Sequence, residues 1–194
     1  MGMVISAASI MNRAYTGNTG FKDPNFRKNR TNHEVVNADR RAMARALERL
    51  ENLDFSSREE DDTKSIYNTV TSFIEIYNNT VTSAGGSETN EINRTAREMK
   101  KLMKEHSSAL EAMGISVKSD GTVRIDKDEL KTATTRQVSK VFGNSDFIGD
   151  MKKLMRKLRN QVNREVPRAV EQEEPAKNGT LTSETVGANL NLYV

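Results

Sequence analysis

The sequence predicts a mainly α-helical protein: an elongated antiparallel helical bundle or coiled coil with a small β-hairpin and short helix at one end. Three observations carry that expectation. Apolar residues recur in alternating steps of three and four along several segments. Residues 113–130 read as a helix end, a tight hairpin and a new helix start, with nothing to spare. Finally, 35% hydrophobic and 29% charged residues, with no Trp, suit long helices with much surface. A globular domain typically carries about 45–50% apolar residues, counted with Gly.

Residues 1–33 lack sustained periodicity and contain Pro24. Arg13, Lys22, Arg27, Lys28 and Arg30 face only Asp23 there, a local charge of +4 in a chain of net +3. A basic, largely disordered arm is expected, with room for a short helix near residues 4–14. A helical rod domain follows over 34–166. Its first helix, 34–53, puts Val36, Met43, Ala46, Leu50 and Leu53 on one stripe. Ser57 and Glu60 suggest a capping box before a helix over 58–83. That helix carries Ile66, Val70, Phe73, Tyr77 and Val81, and its acidic first turn suits the positive end of a helix dipole. Gly85-Gly86 ends it.

The cleanest stripe lies in 88–113, where Ile92, Ala96, Met99, Met103, His106, Leu110 and Met113 never miss a step. Two apolar positions per heptad need a facing helix. The short Gly-Gly link makes this helix antiparallel to the one before it. Next comes the hairpin. A two-residue Asp120-Gly121 loop would place the apolar residues of its strands on opposite faces. A three-residue loop, Ser119-Asp120-Gly121, pairs Val117 with Val123 and Ile115 with Ile125, so all four share a face. Gly121 then holds the left-handed position that closes such a loop. Gly114 fits a left-handed helix cap, and Asp126 with Glu129 fits a capping box.

A shorter helix, 127–142, turns Leu130, Ala133, Val138, Val141 and Phe142 inward, and Gly143 caps it. Hairpin and helix together make a knob at 114–143. The last helix, 146–165, carries Ile148, Met151, Met155, Leu158 and Val162, and Pro167 stops it. Residues 167–194 are expected to form a disordered tail. Its Leu190, Leu192 and Val194 alternate as an added strand would.

Chemistry finds little support. Asp120, Asp126, Asp128 and Glu129 cluster, but with Gly121 sixth a calcium loop would need Lys127 as its twelfth ligand. His106 has only His33 as a fellow imidazole, so it reads as a polar seam position rather than a metal ligand. Cys is absent, which removes thiolate metal sites and cysteine nucleophiles. No phosphate loop, HExxH or nucleophile elbow occurs. We expect no enzyme, no cofactor, no membrane span and no cleavable secretory signal. Lys152, Lys153, Arg156, Lys157, Arg159 and Arg164 form a basic face, read as solvated and paired with acidic neighbours.

Three further segments carry a resemblance. Phe73-Ile74-Glu75-Ile76-Tyr77-Asn78 reads as an aromatic "F…YN" helix element. Met113-Gly114-Ile115 is followed by Asp120-Gly121-Thr122-Val123-Arg124-Ile125-Asp126 with Leu130, a "DG.L.ID…L" unit. Val138-Ser139-Lys140-Val141-Phe142-Gly143 closes it, ahead of one more helix. From Ile66 to Val166 the chain resembles the carboxy-terminal helical region of bacterial flagellar filament-capping proteins, the hook-associated protein 2 family. The resemblance implies a structural protein of the bacterial flagellum that self-associates, contacts flagellin or other axial proteins, and leaves the cell by type III export without a cleaved signal peptide. It also implies an adhesive, extracellular setting. That family inserts large β-rich domains for which residues 54–58 leave no room, so a reduced form is expected. The seam residues Ile92, Met99, Met103, His106, Leu110, Met113, Ile148, Met151, Met155, Leu158 and Val162 are then the candidate partner-binding set. Ile115, Val117, Gly121, Val123, Ile125 and Leu130 build the knob. The alternatives are a helical nucleic-acid-associated protein and a cytoplasmic chaperone or regulator of an exported partner.

Overall fold

The structure, a computed structural model, describes residues 4–16, 19–56 and 60–171. Within them the chain is mainly helical, with one two-stranded antiparallel sheet. The amino-terminal arm corrects the expectation of disorder. Helix α1 (Ala7–Ala14) begins at Ser6, whose side chain accepts the Ser9 N–H. A single 3-10 turn over Thr19–Lys22 leads to α2 (Pro24–Lys28), where Asp23 caps and Pro24 occupies the first turn. Ile10, Met11, Ala14, Tyr15 and Phe21 are all buried. A scatter of apolar residues too short for a periodic signal is enough when a ready-made surface lies beside it.

Helix α3 (Asn32–Glu51) starts two residues before the predicted boundary. Thr31 and Glu34 form a reciprocal capping box that fixes the start. Helix α4 (Glu60–Gly85) buries thirteen of its 26 residues, among them Ile74 and Ile76, off the predicted stripe. It is buried on more than one side because α1, α3 and α5 (Asn90–Glu105) all pack on it. The predicted cap Ser57 lies outside the described residues.

The predicted helix over 88–113 is two helices. It breaks at His106 (φ −100°, ψ 8°), which ends α5 and begins α6 (Ser107–Glu111). His-Ser-Ser is a run of weak helix formers, and the break lets the His106 ring meet Phe147 edge-on at 5.1 Å. The helix expected at 127–142 also divides, into α7 (Lys127–Thr132) and α8 (Thr135–Phe142). Ala133 is extended (ψ 134°), and Thr134 with Gln137 forms a second reciprocal capping box. A Thr with Gln three residues on restarts a helix at a position that the period of the apolar residues does not reveal. Helix α9 (Ser145–Glu171) runs past Pro167 rather than stopping there. Residues 172–194, including the alternating Leu190, Leu192 and Val194, lie outside the described residues.

The hairpin has the predicted register. Strand β1 (Ile115–Val117) pairs with β2 (Val123–Ile125) through Ile115–Ile125 and Val117–Val123. Lys118 N–H donates to the Thr122 carbonyl at 2.8 Å, and Gly121 N–H to the Lys118 carbonyl at 2.9 Å. Gly121 has φ +80° and Gly114 φ +76°. A Cβ on Gly114 would lie 2.5 Å from that of Glu129, so only glycine fits. Asp126 caps α7 by accepting from the Asp128 and Glu129 N–H groups. Its own N–H goes to the Gly114 carbonyl at 2.7 Å, so the ladder occupies the donor that a full capping box would use.

Helices α3, α4, α5 and α9 enclose the core, with α3 and α5 each packed against both α4 and α9. Cross-links give the directions. Between α3 and α4, Asn32 reaches the Ser83 carbonyl while Thr80 reaches that of Asp39. From α5 to α9, Glu91 pairs with Arg164 and Glu98 with Lys157. From α3 to α9, His33 meets Glu165 and Glu51 meets Lys152. Each neighbour is therefore antiparallel. One hydrophobic cluster contains residues of all four helices together with Ile115, Val123, Leu130, Val138 and Phe142. The hairpin and α8 thus share the core of the long helices.

Candidate assembly surfaces

Two of the three segments that carry the resemblance touch. Tyr77 OH donates to the Gly121 carbonyl at 2.9 Å. The Asn78 side-chain amide donates to the Val123 carbonyl, and its oxygen accepts the Val123 N–H, both at 2.8 Å. Asn78 thereby occupies the outer donor and acceptor of Val123, as the next strand of a sheet would. Behind it, Phe73 meets Phe142 at 5.7 Å and Phe147 at 6.2 Å, and those two meet at 6.0 Å, all edge-on. Residues far apart in the chain thus fasten the hairpin to the carboxy-terminal half of α4.

The predicted partner-binding stripe faces inward. Ile92, Met99, Met103, Leu110 and Met113 are buried, as are Ile148, Met151, Met155, Leu158 and Val162. His106 is half-buried. Helices α5 and α9 pack these stripes within one chain, so further copies would meet other surfaces. Part of the seam is polar: Thr95 donates to Gln161 Oε1 at 3.0 Å, and Gln161 Nε2 to the Glu91 carbonyl at 3.2 Å. In the knob, Ile115, Val123 and Leu130 are buried, whereas Val117 and Ile125 are partly buried.

A buried polar centre at Asp39 escaped the sequence reading. Its carboxylate, fully buried, accepts from Tyr15 OH at 2.8 Å, from Arg27 at 2.8 and 2.7 Å, and from Ser83 OH at 2.6 Å. Asn79 donates to the Tyr15 hydroxyl oxygen at 3.1 Å. Burial would lower the Arg27 pKa, but hydrogen bonds to Asp39 and its charge outweigh that and raise it. A lone aspartate inside a stretch of Arg and Ala gives no sequence signal for this; the partners come from three other elements.

Burial first, then the Asp39 charge, raises the Tyr15 pKa far above the tyrosine range. Burial, aided by Asp120, does the same to Tyr77. An acid whose folded pKa exceeds its unfolded value stabilises the fold fully below the unfolded pKa and loses that contribution as pH rises above it. Stability should therefore fall once pH passes about 10, the ordinary tyrosine value. Absorbance near 295 nm would show these two phenols ionising together with unfolding. Tyr15→Phe with Tyr77→Phe should flatten the decline, and an equal slope in that variant would refute it.

Four of the six residues of the basic face are paired. Lys152 pairs with Glu51, Lys153 with Asp150, Lys157 with Glu98 and Arg164 with Glu91. Arg156 and Arg159 have no ion pair among the described residues. Near the hairpin, the Asp120 carboxylate accepts the Thr122 N–H and hydroxyl, and that bonding lowers its pKa. Together with the capping role of Asp126, this spends the carboxylates on local structure. Among the described residues no three metal-ligating side chains converge, and no helix there is long and apolar enough to cross a membrane.

No protein-family model matches the chain, and neither the curated proteins nor the solved structures contain a match to it.

Proposed function

We propose that this chain is a non-catalytic structural or assembly protein of the bacterial flagellum, related to the filament cap and acting through self-association and contacts with axial proteins such as flagellin. The fold is read as an elongated antiparallel bundle closed at one end by the hairpin and α8. One observation carries the proposal: the "YN" helix element and the "DG" hairpin, two of the segments that carry the resemblance, are joined by Tyr77–Gly121 and Asn78–Val123. Segments that a family holds in common for one architecture should meet in space, and these do. Since the apolar stripes are consumed inside the chain, self-association would use other surfaces. The protein is placed outside the cell by type III export.

The test is export. In a flagellated host, the protein should reach the culture supernatant only when the flagellar export gate is intact. Secretion that ignores the gate, or retention in the cytoplasm of an exporting strain, would refute the proposal. Sedimentation equilibrium tests assembly, because a strict monomer at the highest attainable concentration argues against a cap-like ring.

A further inference from the structure

Arginines recur along α3 and α9. Helix α3 presents Arg40, Arg41, Arg45 and Arg49, and α9 presents Arg156 and Arg159. Among the described residues, none of these six is in an ion pair. A groove between the two helices brings Arg40, Lys152, Arg156 and Arg159 together, with Glu48 as its sole acidic lining residue. Lys152 is already held by Glu51.

Arg40 is the unusual member. Only 9% of it is exposed, yet it has no carboxylate. One terminal nitrogen donates to Asn37 Oδ1 at 2.7 Å, and the buried Nε has no acceptor. Burial and repulsion from Arg41, Arg159 and Arg45 lower its pKa. A buried cation without a counter-charge is costly, and guanidinium donors suit oxyanions in paired geometry. Three guanidiniums with one glutamate exceed what a single carboxylate neutralises, so the groove favours a multiply charged phosphate. The charge also continues beyond it. Arg41, Arg45 and Arg49 are spaced one helical turn apart, about 6 Å at 1.5 Å per residue; one Arg45 terminal nitrogen donates to the Ala14 carbonyl at 2.6 Å, and burial first, then the charge of Arg13 on α1, lowers the Arg49 pKa. Such a track matches a repeating chain of phosphates better than an isolated ion. Its residues include no aromatic platform on which bases could stack.

We propose that the arginine face of α3 and α9, centred on the Arg40 groove, binds the phosphodiester backbone of a nucleic acid without regard to sequence. Backbone contacts by arginine position a protein on DNA without reading bases. This activity is independent of the flagellar reading and would stand or fall apart from it.

The experiment is fluorescence anisotropy of the full chain with a labelled DNA duplex of about 20 base pairs, at about 50 and 200 mM salt. Binding should appear at micromolar protein and weaken at least about tenfold at the higher salt. Arg156→Gln with Arg159→Gln, both exposed, should reduce the salt slope by about 2, because each phosphate contact contributes about one unit. Arg40→Gln should reduce it by about 1. Arg94→Gln on α5 should bind like the parent and serves as the control. Circular dichroism checks that each variant is folded; the double variant keeps the test valid if Arg40→Gln is not. Absence of binding at the lower salt, an unchanged slope in the double variant, or displacement of the duplex by polyglutamate at equal charge concentration would each overturn the proposal.

Discussion

Asp39→Ala should destabilise the protein by about 3–5 kcal/mol, the usual cost of removing one partner of a buried ion pair. Arg27 is 16% exposed at its side chain and would keep its charge with no carboxylate in reach. Tyr15 and Ser83 would each lose an acceptor, and buried polar groups left unsatisfied cost about 1–3 kcal/mol apiece. These penalties overlap, so they do not add. The loss should fall first on the arm, since Tyr15 and Arg27 join it to α3. Limited trypsin digestion should then cut at Arg27, Lys28 and Arg30, while a urea titration reports the loss in stability. Pairing Asp39→Leu with Arg27→Met should recover much of it, because apolar replacement of a buried pair is often neutral. If Asp39→Ala costs under about 1 kcal/mol and leaves the arm resistant to trypsin, the network is not what holds the arm.

Phe73→Ala should cost a similar amount, about 3–5 kcal/mol, for a different reason. Phe73 is fully buried between Phe142 of α8 and Phe147 of α9. Truncation removes two edge-on ring contacts and leaves a cavity that three helices cannot all relax into. Natural domains have only about 5–15 kcal/mol to lose, so the variant should be close to unfolding at physiological temperature. Phe73→Leu should cost much less, since it keeps most of the volume. Hydrogen exchange adds a sharper readout. With one shared core, amides of β2 and of α4 should lose protection together in Phe73→Ala. Exposure of the hairpin amides alone would mean that the hairpin and α8 form a separately folding unit.

Residues 115–125 show how much of the fold was legible. Parity of Ile115, Val117, Val123 and Ile125 selected the three-residue loop, and both left-handed glycines were read from their positions. These are constraints between near neighbours, and chain geometry alone enforces them. The stripes of α5 and α9 were legible as apolar faces that need a facing helix, for the same reason. What they face was less so. The stripe period is the same whether the facing helix belongs to this chain or another, and the residues offered as a partner surface are core. The break at His106 is hidden because the apolar period continues across it, and the break at Ala133 lies in a five-residue step to Val138 whose residues still share a broad helical face. At His106 weak helix formers and the Phe147 ring contact compete with continuous helix, and at Ala133 the fresh capping box of Thr134 and Gln137 does.

The sequence alone determined the helical character, the strand register and the apolar stripes, because each depends on spacings of a few residues. Tertiary structure decided the rest: the ordering of residues 4–16 and 19–33, the burial of α4 on several sides, the charge centre at Asp39 and the arginine face. Each of these joins residues separated by tens of positions, and no local period encodes which distant side chain supplies the missing charge.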